Sequence, residues 1–423
     1  MIERRDKLDV LMSVQYSYEE TGGVQRWAIE AKPYIEDKTG GKVVLTFPKK
    51  KTDNGVTLPE GYHFVGKVFR FPLQHHDNRY QASGWVDPKE VRKVLLLEKI
   101  LPDIGHILEP FPLVYPTGTP GIINGLPRIS GVIINPHVAI EHLKRKTEFF
   151  IEVVKLFGYH KKIMQQADRT LAVSQATVDT WSQFWPVNYD IVPNGINTEE
   201  LKPDVPIIGE WKRDGKKTIL FAGRHDRRKG IEDLLFAYLY LRESGRNDIQ
   251  LKIAGNGYMT EELQKMIGDL EIPDVEFLGT LPRFEEDPDK VDLVKAYRTA
   301  DVFVGPSRDG EAFNRTNAEA LSCGTMVVTT DISGHRYAFG EAKGGVVFVK
   351  PNDSDDLARG MVTVLDLSEE DRRKLGRQGR EHIVENYSWP IVIEKNLMPI
   401  YEDVVRKKRD KLSSSGIVYE RKD

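Results

Sequence analysis

Short apolar runs alternate with longer amphipathic stretches along the chain. The runs cover residues 8–14, 43–47, 64–69, 104–108, 129–134, 170–174 and 189–192, then 218–222, 251–254, 275–278, 301–305, 326–330 and 346–349. Most are rich in β-branched residues and lack strict apolar–polar alternation, as strands covered on both faces should. Helical periodicity occupies 88–100, 140–166, 230–243, 260–270, 291–300, 355–364 and 369–386. A repeat of strand, helix, strand predicts parallel sheets with right-handed crossovers. Thirteen strands exceed what one open sheet holds comfortably, so the pattern predicts an α/β fold of two doubly wound, Rossmann-like domains.

The division is legible in the turn residues. Pro193-Asn194-Gly195 signals a turn, and Leu201-Lys202-Pro203-Asp204-Val205-Pro206 cannot continue a helix or a central strand. The expected domains are 1–200 and 201–390, followed by a helical segment over 391–423 that crosses back to the first domain. That segment carries the basic run Arg406-Lys407-Lys408-Arg409 and ends in Ser413-Ser414-Ser415-Gly416. In open α/β sheets ligands bind beyond the carboxyl ends of the strands, so two such domains facing each other make a cleft for chemistry.

Composition narrows the classes. With 40% hydrophobic and 30% charged residues in 423, the chain is globular rather than disordered. A net charge of −3 gives no global basic footprint, so nucleic acid is not expected as a partner. The single cysteine, Cys323, excludes an intramolecular disulfide and a cysteine-built zinc site, and points to a reducing compartment. No stretch approaches the ~18 apolar residues of a membrane span, and the opening residues lack the apolar core of a signal peptide. The expectation is a cytoplasmic chain. Residues 140–166 combine Lys144, Arg145 and Lys146 with Phe149, Phe150 and Phe157, which suits either a core-packed helix with a solvated basic face, the preferred reading, or peripheral contact with an inner membrane face.

Two loops carry candidate chemistry. Phe221-Ala222-Gly223-Arg224-His225-Asp226-Arg227-Arg228-Lys229-Gly230 follows one strand and opens a helix. Gly223 permits a tight turn, while Arg224, Lys229 and the helix N-terminus converge as three sources of positive potential suited to a diphosphate. The Gly-rich spacing of a Walker loop is missing. The second loop follows another strand and includes Glu311, Ala312, Phe313, Asn314, Arg315, Thr316 and Glu319. Glu311 can accept sugar hydroxyls, Glu319 can reach paired ribose hydroxyls, and free backbone N–H groups at the helix start between them can hold phosphate oxygens. An acidic residue favoured by the helix dipole explains one glutamate there, but not both together with the upstream cations.

These residues resemble the group 1 family of retaining, nucleotide-sugar-dependent glycosyltransferases with the GT-B fold. The signature is two glutamates with seven residues between them, as in Glu311 and Glu319, preceded by Pro306-Ser307 and followed by Ala320 and Gly324. Gly223-Arg224 with Lys229-Gly230, Ile253-Ala254-Gly255-Asn256-Gly257, Val192-Pro193-Asn194-Gly195-Ile196 and Pro102-Asp103-Ile104-Gly105-His106 match in order. Thr21-Gly22-Gly23 after the first strand matches the loop that lies by the donor phosphate in that family. His137, in Asn135-Pro136-His137-Val138, matches a histidine kept beside the transferred sugar. The resemblance implies His137, Arg224, Lys229 and Glu311 as catalytic, and Gly22, Gly23, Gly223, Ala312, Phe313, Asn314, Arg315, Thr316 and Glu319 as donor-binding.

It further implies sugar transfer from a UDP- or GDP-linked donor to a hydroxyl of a glycan or lipid-linked acceptor, with no metal and no resident cofactor. Two departures stand out. The family's Glu-Gly-Phe-Gly is Glu311-Ala312-Phe313-Asn314 here, and its Gly-Gly-x-x-Glu is Ser333-Gly334-His335-Arg336-Tyr337, without the glutamate. Losing two glycines restricts how closely backbone approaches the sugar. A sugar phosphorylase and a non-catalytic nucleotide-sugar-binding protein are the alternatives on the same fold. A dinucleotide oxidoreductase is disfavoured, because Gly255-Asn256-Gly257 lacks the third glycine of that fingerprint.

Overall fold

The computed structural model describes residues 7–14, 23–49, 57–68, 84–85, 93–95, 97–98, 103–108, 128–132, 167–183, 186–212, 214–283 and 291–414. Gly22, His137, the 140–166 stretch and most of the helix expected at 88–100 lie outside these residues. The chain divides into two compact units, Met1–Gly195 with Trp389–Asp423, and Ile196–Ser388. The break falls at Gly195, inside the turn signal. The chain re-enters the first unit at Trp389.

The first unit holds β1 (Val10–Val14), β2 (Val43–Lys49), β3 (Tyr62–Val68), β4 (Gly84–Trp85), β5 (Ile104–Leu108), β6 (Arg128–Val132), β7 (Arg169–Ala172) and β8 (Tyr189–Ile191). Their order is β4-β3-β2-β1-β5-β6-β7-β8. All neighbours pair in parallel except β3 and β4. The two-residue antiparallel edge β4 is not among the expected strands, because two residues carry no periodicity.

The C-terminal segment runs as a helix Trp389–Ile391, a π-helical turn Val392–Leu397, and a helix Met398–Ser414. It belongs to the first unit's core: Trp389, Ile393 and Tyr401 are buried with Val10, Met12 and Ile104. The Trp389 indole donates to Glu30 at 2.9 Å, and Arg169 pairs with Asp403. His106 Nδ1 meets the Tyr401 hydroxyl at 2.8 Å. Burial pushes the His106 imidazole down to about 3, so it is neutral.

The second unit holds β9 (Lys217–Ala222), β10 (Ile249–Ala254), β11 (Val275–Gly279), β12 (Val302–Gly305), β13 (Val327–Thr330) and β14 (Val346–Val349), ordered β11-β10-β9-β12-β13-β14 and all parallel. Strand β9 shows why the strand pattern does not alternate. Ile219 and Phe221 pack under the helices Ile231–Glu243 and Ser354–Leu365, while Leu220 and Ala222 pack on the other face with Ala296, Ala318 and Phe313. Successive side chains point to opposite faces, and both faces are covered.

Strand order reverses direction between β9 and β12, which are neighbours in the sheet although two strands separate them in sequence. Chain leaving β9 turns to one side and chain leaving β12 to the other, which opens a crevice at their carboxyl ends. Both candidate loops leave from these two strands.

Candidate active site

The first loop opens the helix Ile231–Glu243, as expected, and carries a short turn of its own. Arg227–Lys229 form a separate 3-10 turn, capped by Asp226, whose side chain accepts from Arg228 N. Gly230 then takes a left-handed conformation, φ +65°, before the helix Ile231–Glu243. A Cβ there would sit 2.1 Å from the Pro306 carbonyl oxygen, so glycine is needed both for the turn and for the approach of the second loop.

Arg308 clamps the two loops together. Its guanidinium donates two bonds to Asp233, at 2.7 and 2.8 Å, and a third to Glu232 at 2.8 Å. Its backbone N–H donates to the Arg228 carbonyl at 2.7 Å. Such a bidentate pair fixes orientation as well as distance.

The clamp brings together two residues expected to serve separate parts of a donor. Lys229 Nζ lies 2.6 Å from Glu311 Oε1, with 19% and 11% of the two side chains exposed. Burial by itself would raise the Glu311 carboxyl. The Lys229 ammonium outweighs it and holds the group down at about 2. Glu311 is therefore a carboxylate. Arg224, just beyond the carboxyl end of β9, is exposed.

Asn314 occupies the left-handed region at φ +60° and caps the helix Arg315–Ser322. Its Oδ1 accepts from Asn317 N at 3.3 Å and from the Thr316 hydroxyl at 2.9 Å. This resolves the departure from the family glycine: asparagine is among the few residues with a side chain that tolerate this conformation. Within the helix, Glu319 is 1% exposed and accepts from the Tyr297 hydroxyl at 3.1 Å, with Arg315 Nη2 3.7 Å from its other oxygen. Phe313 is buried against Tyr387, ring centroids 4.9 Å apart. Phe313 thus anchors the loop in the core, and Ala312, beside it, is half-buried.

Two contributors were not singled out in sequence as site residues, His335 and Arg308. His335 lies in the segment noted for its missing glutamate. Its neighbour Gly334 packs on the second loop, where a Cβ would lie 1.8 Å from the Glu311 carbonyl oxygen. Arg308 has no pattern signal, since its partners are ~75 residues away in sequence.

Residues 208–382 match the family described as glycosyl transferases group 1. The phosphatidyl-myo-inositol mannosyltransferase of Mycolicibacterium smegmatis is 28% identical over 93% of each chain. The protein of that name from Mycobacterium leprae is 29% identical over 93% of this chain and 96% of its own. The chain is a glycosyltransferase whose residues 208–382 resemble the group 1 family. A Rickettsia africae glycosyltransferase superposes on this chain with a TM-score of 0.67 at 16% identity, over 95% of this chain and 99% of the other. Anabaena HepE, solved with UDP and glucose, gives 0.62 at 15%, over 96% and 100%. The glycosyltransferase thus has the GT-B fold. Among its described residues no helix is long and apolar enough to cross a membrane.

Proposed function

We propose that this glycosyltransferase moves a mannosyl group, with retention, from a nucleoside diphosphate mannose to an inositol hydroxyl of a phosphatidylinositol-type lipid. The observation that carries the donor half is the buried Lys229–Glu311 pair at the β9–β12 crevice, with Arg224 exposed on the loop that carries Lys229. The acceptor half is supported by full-length relatives named for that transfer.

In this reading the bond from the anomeric carbon to the diphosphate oxygen breaks as the inositol oxygen bonds to the same face of that carbon. The acceptor proton passes to the departing phosphate oxygen. Charge builds on the diphosphate, and Arg224, Lys229 and the amides opening the helix at Arg315 and Thr316 meet it with preorganised positive potential. Glu311, held as a carboxylate, accepts sugar hydroxyls, while Glu319 and its Tyr297 partner serve the ribose. This reading assigns Gly22 and Gly23 to the donor phosphate and His137 to the transferred sugar. No resident cofactor or metal is called for, so turnover should survive a chelator. A lipid acceptor requires work at a membrane surface, and a cytoplasmic chain in peripheral contact with it meets that need.

The test is transfer of labelled mannose from UDP- and GDP-linked donors to phosphatidylinositol vesicles, with product anomericity read by NMR. An α-mannoside formed from an α-linked donor supports the reading. An inverted product overturns retention. Binding of a nucleotide without turnover on any acceptor favours the non-catalytic alternative, and sugar release driven by inorganic phosphate favours a phosphorylase.

A further inference from the structure

His335 is completely buried, and its hydrogen-bond partners among the described residues lie in the second unit. Its Nδ1 lies 2.9 Å from the Thr330 carbonyl oxygen and 2.8 Å from the Thr329 hydroxyl. A carbonyl only accepts, so Nδ1 carries the proton. Nε2 then has a free lone pair, and Asn314 Nδ2 donates to it at 2.9 Å. The amide orientation is fixed independently, because Asn314 Oδ1 accepts from Asn317 N and the Thr316 hydroxyl. Every polar atom of the two side chains is thereby used in one self-consistent direction.

The same cluster reaches the loop and the strands. Thr329 accepts from Asn317 Nδ2 and donates to the Gly305 carbonyl, each at 2.8 Å, and Thr330 donates to the Ser307 carbonyl. Gly334 meets the Glu311 carbonyl. One buried imidazole is therefore tied to both ends of the segment that carries Glu311 and opens the helix of Glu319.

We propose that His335 is a positioning residue for donor binding: its neutral imidazole locks Asn314 in the left-handed conformation and so aims the first-turn amides of the helix Arg315–Ser322. The Asn314–His335 pair does by a hydrogen bond what a glycine does by conformational freedom. This rests on the reading of the crevice as the nucleoside diphosphate site. His335 does not touch substrate. Its effect reaches the ligand only through Asn314, so removing the asparagine should remove the dependence on the histidine.

That coupling is the test. UDP and GDP affinities are measured by calorimetry on the full chain, with melting temperatures recorded for every variant. His335→Ala leaves the Asn314 amide unsatisfied and should weaken nucleotide binding about tenfold. His335→Gln, which offers an acceptor to Asn314 and a donor to Thr330, should recover most of it. In an Asn314→Gly background the further loss from His335→Ala should fall to about twofold or less.

Equal losses in both backgrounds overturn the lock. So does coupling that appears in melting temperature but not in nucleotide affinity, which makes the pair structural only. A folded wild-type chain that binds neither nucleotide overturns the donor-site reading itself, and the positioning role with it.

Discussion

At the scale of single residues, the Lys229–Glu311 pair makes the sharpest prediction. Breaking a buried pair leaves an uncompensated charge, which costs about 3–5 kcal/mol. Lys229→Met should therefore lower the melting temperature and let the Glu311 carboxyl rise from about 2. Lys229→Met combined with Glu311→Gln should regain much of that stability while turnover stays lost, since the diphosphate has no ammonium to meet it. Turnover falls about ten- to a hundredfold for a lost charged hydrogen bond. Calorimetry and steady-state rates on the two variants separate the stabilising role from the catalytic one. Glu319→Ala should weaken nucleotide binding, and Tyr297→Phe should weaken it less; equal wild-type affinity in both removes the ribose role. Glu311, Lys229 and Glu319 were legible in the sequence because their spacing is local. Their partnership was not, because Lys229 and Glu311 lie 82 residues apart.

At the scale of elements, the two loops function because β9 and β12 end side by side. Periodicity gave the type of the described elements it named, with boundaries within two residues, but it missed the 17-residue helix Gly23–Thr39. The misses have particular causes. The 3-10 turn Arg227–Lys229 is too short to show a period. The helices Gln175–Trp181 and Ser333–Phe339 have seven residues each, under two full turns of pattern. Asp353 caps the helix Ser354–Leu365, its side chain accepting from Asp356 N at 2.8 Å. Gly230→Ala is the element-scale prediction. It strains the left-handed turn and drives a Cβ into the Pro306 carbonyl, so the two loops must part. Melting temperature and nucleotide affinity should fall together, whereas an alanine at Gly209, which meets nothing within 4 Å, should leave both within error.

At the scale of the whole molecule, both units carry a buried neutral histidine. Burial lowers His335 to about 4 and His106 to about 3, against an ordinary 6.5. The unfolded chain binds these protons first, so the stability contributed by the neutral forms is fully present above pH 6.5. It is lost as pH falls toward 4 in the second unit and toward 3 in the first. Glu311, depressed from 4.5 to about 2, adds a later loss over that window. Melting temperature should therefore drop steadily below pH 6.5, by up to about 1.4 kcal/mol of stability per pH unit for each histidine. His335→Gln should flatten the slope between 6.5 and 4. An unchanged slope would remove His335 as a source.

The sequence by itself determined the α/β class, the turn that divides the chain, and the cationic and acidic loops, because periodicity and short spacings are local properties. Only the tertiary structure decided which cation meets which carboxylate, that Asn314 stands in a left-handed cap, and that His335 holds it there. Those contacts join residues from 21 to 82 positions apart. They exist only once parallel strands have set β9, β12 and β13 side by side, and no local pattern encodes that adjacency.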